Sequence, residues 1–501
     1  MKDNAGTSAT TGKQRWRCLD CRYRTVDPDD KPRKVSQIKT SLPHSQRYVV
    51  TCAQNATPVH LPFLRSLVKY CQLNDATLVV IPLRYRNPTS QWTAAQQNME
   101  KWHDSVEPYL VQVRQELNSN LVLVGDIKVQ PTATLPLTSL ESVTGARSCI
   151  IGHPRLQLRT VATPHHRLPK ILATTGAVTM RNYTDSKAGK RGEFHHTFGA
   201  CVVEVEDEEV FHLRQINALS NGSFIDLNYK YTEQGREHAP PAAALIMGDT
   251  HVDFVDPDVV RATFTDDDSM VNVLNPEKLV WHDLLDFYSQ SHHHRSNPFL
   301  KIAKRKAGVD EVRNEVTRCI DFLVKHGDGR ENVVVASNHN EGLERWLREC
   351  DWRQDPINAE FYLESALQVA RSVRMTNNGT SQVDPLHYWM RKATGNRRDI
   401  KYLNRDESFT VRGIECSFHG DMGPNGARGS VINFRRIGVK SVIGHSHSPA
   451  IEEGCYQVGT SSRLKLEYNT GPSSWLNTHC VIYANGKRSL LSVINGRWRC
   501  D

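Results

Sequence analysis

The chain has 501 residues, long enough for two or three domains that each bury a core. Hydrophobic residues make up 39% and charged residues 24% of it, a balance that excludes a disordered or fibrous chain. Its 63 basic and 55 acidic residues leave a net charge of +8, which favours approach of a polyanion without establishing nucleic-acid binding. No apolar run nears the roughly 18 residues needed to span a bilayer, and the polar start MKDNAGTSATTGKQRWR lacks a signal-peptide core. The expectation is a soluble, cytoplasmic protein with no membrane partner. Twelve cysteines are scattered mostly singly through segments such as SCII, GACVV and THCVIY, as expected of reduced core thiols rather than a disulfide framework.

Residues 1–45 read as a basic tail in which Cys18 and Cys21 form a CxxC among Arg15, Arg17, Arg22 and Arg24. Such a pair is half of a zinc ribbon, but a closed tetrahedral site needs two more ligands, and only His44 follows within reach. The alternative is a flexible arm with two free thiols. From Arg47 the pattern becomes strand, helix, strand: RYVVTCAQ, then HLPFLRSLVKYCQLN with Leu61, Leu64, Leu67 and Val68 on one face, then ATLVVIP. A second helix is expected over TAAQQNMEKWHDSVEPYLVQVRQEL, leading into the strand NLVLVGDI. Short apolar segments separated by turn residues make 146–235 β-rich, so 46–235 reads as an α/β region. The polar stretch EQGREHAPP, ending in paired prolines, marks a boundary near 240.

Beyond it, apolar strand-like segments repeatedly end in metal-ligand side chains. AAALIMGDTHVDF offers Asp249 and His251; KLVWHDLLDF offers Asp283, with Asp286 three residues on; ENVVVASNHNE offers Asn338 and His339; FTVRGIECSFHGDMG offers His419; VKSVIGHSHSP offers His445 and His447. Any one of these alone reads as an ordinary turn residue or a satisfied core polar group. Together, their order resembles that of the calcineurin-like metallophosphoesterases.

That resemblance implies two divalent cations, which at a separation of roughly 3.5–4 Å activate water and clamp phosphate oxygens. It implies Asp249, His251, Asp283 and His447 on the first metal, with Asp283 reaching the second and Asn338, His419 and His445 completing that second site. His339 becomes the proton donor or electrostatic stabiliser at the leaving oxygen. Mixed oxygen and imidazole ligands suit manganese first, with iron, zinc or magnesium as alternatives, and exclude a cysteine cage. The implied fold is a four-layer αββα sandwich over 240–501, following the N-terminal α/β region. The wider set GDTHVDF, HDLLDF, SNHNE, FHGDMGPNGARGS and GHSHSP, preceded by TCAQNATPVH and RYRNPTS, resembles the host-DNA-degrading metallophosphoesterases of tailed phages. This implies a metal-dependent DNase with DNA as its substrate, working in the host cytoplasm if phage-encoded.

The pattern departs from the family at three places. His282 replaces a glycine, Phe287 stands where protein phosphatases carry a phosphate-gripping arginine, and Asn340 takes an acidic place. Phosphoprotein phosphatase activity is therefore disfavoured. Arg428, in the glycine-rich loop after His419, is the expected substrate-binding cation. Lys301, Lys304, Arg305 and Lys306 form one candidate phosphate patch, and Tyr388 and Trp389 among Arg391, Lys392, Arg397, Arg398 and Lys401 form a candidate base-stacking patch. His195 and His196 read as structural, and the run His292, His293, His294 as exposed loop. Two rival functions remain: a phosphoesterase for nucleotides or other small esters, and a non-enzymatic DNA-binding or scaffold protein. A homo-oligomer is compatible with the sequence.

Overall fold

The computed structural model describes residues 2–7, 14–18, 24–25, 37–85, 101–377 and 379–500. The Cys18/Cys21 zinc question falls outside the described residues and side chains. The fold is α/β, with parallel and antiparallel pairing mixed in its sheets.

A six-stranded sheet organises the C-terminal half. Its order is Ile400–Tyr402, Glu331–Val334, Lys278–Trp281, Ala244–Ile246, Thr478–Ile482 and Arg488–Ser492. The first four run parallel and the last two antiparallel. These strands are apolar on both faces, which explains their continuous hydrophobic runs. Leu245, Leu279, Trp281 and Val334 pack on helices Val312–His326, Gly342–Glu349, Ala359–Ser372 and Pro385–Thr394. The alternate residues Ile246, Val280 and Val333 face a second core.

Across that core lies a ten-stranded sheet built from both halves of the chain. Ala450–Glu452 pairs antiparallel with Gln157–Val161, placing Ile451 against Leu158. Strands N-terminal to the expected boundary at 240 thus complete a sheet begun by strands beyond it. Its outer face carries two short helices, Leu140–Val143 and Val431–Arg435, over small apolar clusters. A further four-stranded sheet, Phe211–Asn217, Gly199–Val205, Arg47–Gln54 and Thr77–Leu83, contributes to the same central core and carries helix Leu61–Leu73 on its other side.

The helix expected over 93–117 is absent from its described part. Residues Asp104–Tyr109 form a 3-10 turn containing Pro108, and Arg114–Asn118 is a strand paired with Leu121–Val124. Val111, Val113 and Leu117 occur at even spacings that suit an extended chain, and Pro108 cannot sit inside a longer helix without removing a hydrogen bond. The ten described cysteines are all unpaired thiols. Among the described residues no helix is long and apolar enough to cross a membrane.

Candidate metal centre

Three of the parallel strands deliver site residues from their carboxyl ends. Ala244–Ile246 leads to Asp249 and His251, Lys278–Trp281 to Asp283, and Glu331–Val334 to Asn338 and His339. Strand carboxyl ends are where open α/β sheets place ligands. Backbone hydrogen bonds stitch the loops together: His251 N donates to Asp283 O at 2.8 Å, and Thr250 N to His282 O at 3.0 Å. The fourth and fifth loops are joined in the same way, Gly444 N donating to His419 O at 2.6 Å. A side chain at Gly444 has no room, because a Cβ there would lie 2.2 Å from Asp249 Oδ1.

Asp249, His251, Asp283 and His447 converge as one buried group whose ligand atoms all lie within 4.8 Å of one another. His447 Nε2 is 3.2 Å from Asp249 Oδ2 and 3.0 Å from His251 Nε2. His419 Nε2 is 3.1 Å from Asp283 Oδ2, and the His419 and His445 rings are 5.3 Å apart. Asn338 is exposed, in contrast to the other residues expected to ligate. His251, Asp283, His445 and His447 all have left-handed backbone conformations, with φ of 45°, 41°, 74° and 59°. Non-glycine residues adopt this region at a cost, and such strain collects at functional sites.

Two further side chains enter the cluster without an expected role. His282 groups with Asp249 and His419, and Asp286 groups with His251 and His339. Asp286 Oδ1 is 2.9 Å from His251 Nδ1, and its carbonyl oxygen accepts from His339 Nδ1 at 2.9 Å. That second contact leaves Nε2 as the free ring nitrogen of His339. The three-residue spacing of Asp283 and Asp286 was the available signal, but nothing local indicates which histidines the second carboxylate meets.

Burial alone would raise the Asp283 carboxyl, yet the charges on His419 and His339 outweigh it and hold Asp283 well below the ordinary carboxylate range. The converse holds at His419, where burial is outweighed by Asp283 and Asp249 and the imidazole is raised to about 9. Burial lowers His445 and His447, and burial together with the charge on His419 lowers His282 to about 4. Asp249 Oδ1, Asp283 Oδ1, His282 Nε2 and His447 Nδ1 are buried without a hydrogen bond. Desolvated lone pairs without partners are costly, and divalent cations satisfy such a collection of carboxylate and imidazole donors.

The surrounding residues divide the expected substrate contacts. Arg428 is exposed in the loop after His419, as are Lys301, Arg305 and Lys306 in their patch. Lys304 is not available to a phosphate: it is buried, its ammonium donating to the Tyr288 carbonyl and lying 2.8 Å from His294 Nδ1. Trp389 is also withdrawn from any base-stacking role, since it is buried against Phe361 and its indole N–H donates to Ser365. Amphipathic helix Pro385–Thr394 turns that ring into the core. Phe287 likewise fills the core near Trp346. His196 is structural, bonded to Tyr183 Oη and the Thr179 carbonyl.

Arg405 joins two of the ligand-bearing loops. Its guanidinium makes paired hydrogen bonds to Glu341, two residues after His339, and to Asp421, two residues after His419. Asn340 ties the second and third loops, its side chain accepting from Leu285 N and donating to Val335 O.

No family model and no solved structure matches the chain. It is similar to Protein A1 of Escherichia phage T5, with 29% identity over 493 residues that span 95% of this chain and 87% of that protein, so its relative over nearly its whole length is a phage protein.

Proposed function

We propose that the chain is a metal-dependent phosphodiesterase that cleaves DNA in a phage-infected cell, with the host cytoplasm as its place of action. The observation that carries this reading is the convergence of Asp249, His251, Asp283 and His447, buried, with Asp249 Oδ1, Asp283 Oδ1 and His447 Nδ1 left without a hydrogen bond. Two divalent cations, manganese first among them, supply Lewis acidity toward a phosphate and activate water. Asp249, His251, Asp283 and His447 would hold one. Asp283, His419 and His445 would hold the other, with Asn338, on the exposed turn beside His339, as the remaining expected ligand.

The protein's own groups account for the remaining steps. His339 stands at the edge of the cluster, and its contact with the Asp286 carbonyl leaves Nε2 to pass a proton to the departing sugar oxygen. Arg428 lies free for a phosphate oxygen. The net charge of +8 favours a polyanionic substrate over a small neutral one.

The test is incubation of metal-stripped protein with closed-circular and linear duplex DNA, with and without manganese, beside Asp283→Ala. Manganese-dependent cleavage that the substitution abolishes is expected. Hydrolysis of a small diester such as bis-nitrophenyl phosphate while DNA stays intact would favour the small-ester reading instead. Manganese binding without hydrolysis of either substrate would leave a binding protein.

A further inference from the structure

The loop 463–475 is tied at its start to the segment after the first motif and at its end to the last motif. Arg463 N donates to the carbonyl of Phe254, three residues after His251, and Leu476 N donates to the carbonyl of His447. The loop is braced from within and without: the Asn469 side chain bonds Leu466 N and the Leu464 carbonyl, and His165 Nε2 holds the Asn469 carbonyl at 2.8 Å. This bracing fixes the adjacent Tyr468.

Tyr468 is half exposed. It is connected to the metal cluster through a series of rings. Its ring centroid is 5.8 Å from that of Trp475, which in turn lies 4.1 Å from the ring of the ligand His447. Burial first, and then the charges of Asp286, Asp283 and Asp249, push its hydroxyl up. No hydrogen bond engages that hydroxyl within the described residues. Arg463 and Lys465, on the same loop, are exposed and make no ion pair there. A half-exposed ring on a loop that also carries two exposed cations has the composition that holds an unpaired base while neutralising its backbone.

We infer that Tyr468, backed by Trp475, is the stacking platform for an unpaired nucleobase next to the scissile phosphate, with Arg463 and Lys465 on the flanking phosphates. The inference rests on the phosphodiesterase reading and adds to it a substrate class: a DNA strand with at least one base out of the duplex, either single-stranded or locally frayed. It also moves the stacking role from the buried Trp389 to a ring at the cluster.

The test uses the manganese-loaded full chain and compares kcat/KM on a single-stranded thymidine oligomer with that on an abasic oligomer of equal length. The wild type is expected to favour the thymidine oligomer roughly ten-fold. Tyr468→Ala should bring that ratio near one, and Tyr468→Phe should restore it. An unchanged ratio in Tyr468→Ala overturns the inference, as does a ratio near one in the wild type. A parallel binding measurement follows quenching of a 2-aminopurine oligomer in calcium, where turnover is not needed. If the wild type cleaves neither oligomer, the phosphodiesterase reading falls; quenching by the wild type and not by Tyr468→Ala would still uphold the stacking contact, and equal quenching by both would overturn it.

Discussion

At the scale of single residues, the centre depends on how closely its loops approach. Gly444 is required because Asp249 Oδ1 occupies the space a methyl group would fill, at 2.2 Å. Gly444→Ala should therefore displace a ligand carboxylate while leaving the fold intact, and manganese affinity measured by calorimetry should fall about 10–100-fold, the range seen when groups supporting a metal site are disturbed. The convergence of Asp249, His251, Asp283 and His447 was legible in the sequence, because each follows an apolar strand and often a glycine. The left-handed backbone at His251, Asp283, His445 and His447 was not legible, since that conformation is imposed by the packed loops and not by the residues themselves. The buried fates of Lys304 and Trp389 were hidden for a similar reason: a charge or an aromatic on an amphipathic helix reads alike whether its face meets solvent or a neighbouring element.

Among the elements, the edge of the four-stranded sheet is fixed by buried charge. Arg214 donates to Asp226 and Glu204, Arg47 pairs with Glu204, and Tyr70 of helix Leu61–Leu73 donates to Asp226. Burial alone would raise the Glu204 carboxyl, but Arg214 and Arg47 outweigh it and lower it from 4.5 to about 2. A carboxyl with a depressed folded value stabilises the protein fully above its unfolded value and loses that contribution as pH falls through the folded one. The window here is from about pH 4.5 down to about 2, and the contribution has an upper bound of about 3 kcal/mol. Urea unfolding should show the wild type more stable than Glu204→Gln at pH 6, with the gap narrowing as pH falls from 5 to 3. A pH-independent gap would show that the charge on Glu204 is not what stabilises this edge. The strands and the first helix of this region were readable from periodicity. The network was not, because Tyr70, Arg214 and Asp226 meet only through the fold.

For the whole molecule, the two halves share a sheet. Half of the strands of the ten-stranded sheet come from residues 114–174, and Ala450–Glu452 finds its partner in Gln157–Val161. A pairing between positions nearly 300 residues apart leaves no local signature, so the turn-rich stretch before Pro241 gave the stronger signal. A fragment of residues 240–501 would expose the edge of Ala450–Glu452 and the apolar face around Ile451 and Tyr456. It should aggregate or unfold without a cooperative transition, as judged by sizing chromatography and thermal circular dichroism; a monomeric, cooperatively folding fragment would show that the metal centre needs no help from the N-terminal strands.

The proposed chemistry requires cations at the convergence of these loops. The most direct test is anomalous diffraction at the manganese edge from crystals grown with manganese. The account predicts two peaks roughly 3.5–4 Å apart, one ligated by Asp249, His251, Asp283 and His447, the other reached by Asp283, His419 and His445. Crystals with manganese bound elsewhere, or with no peak among these side chains, would contradict it.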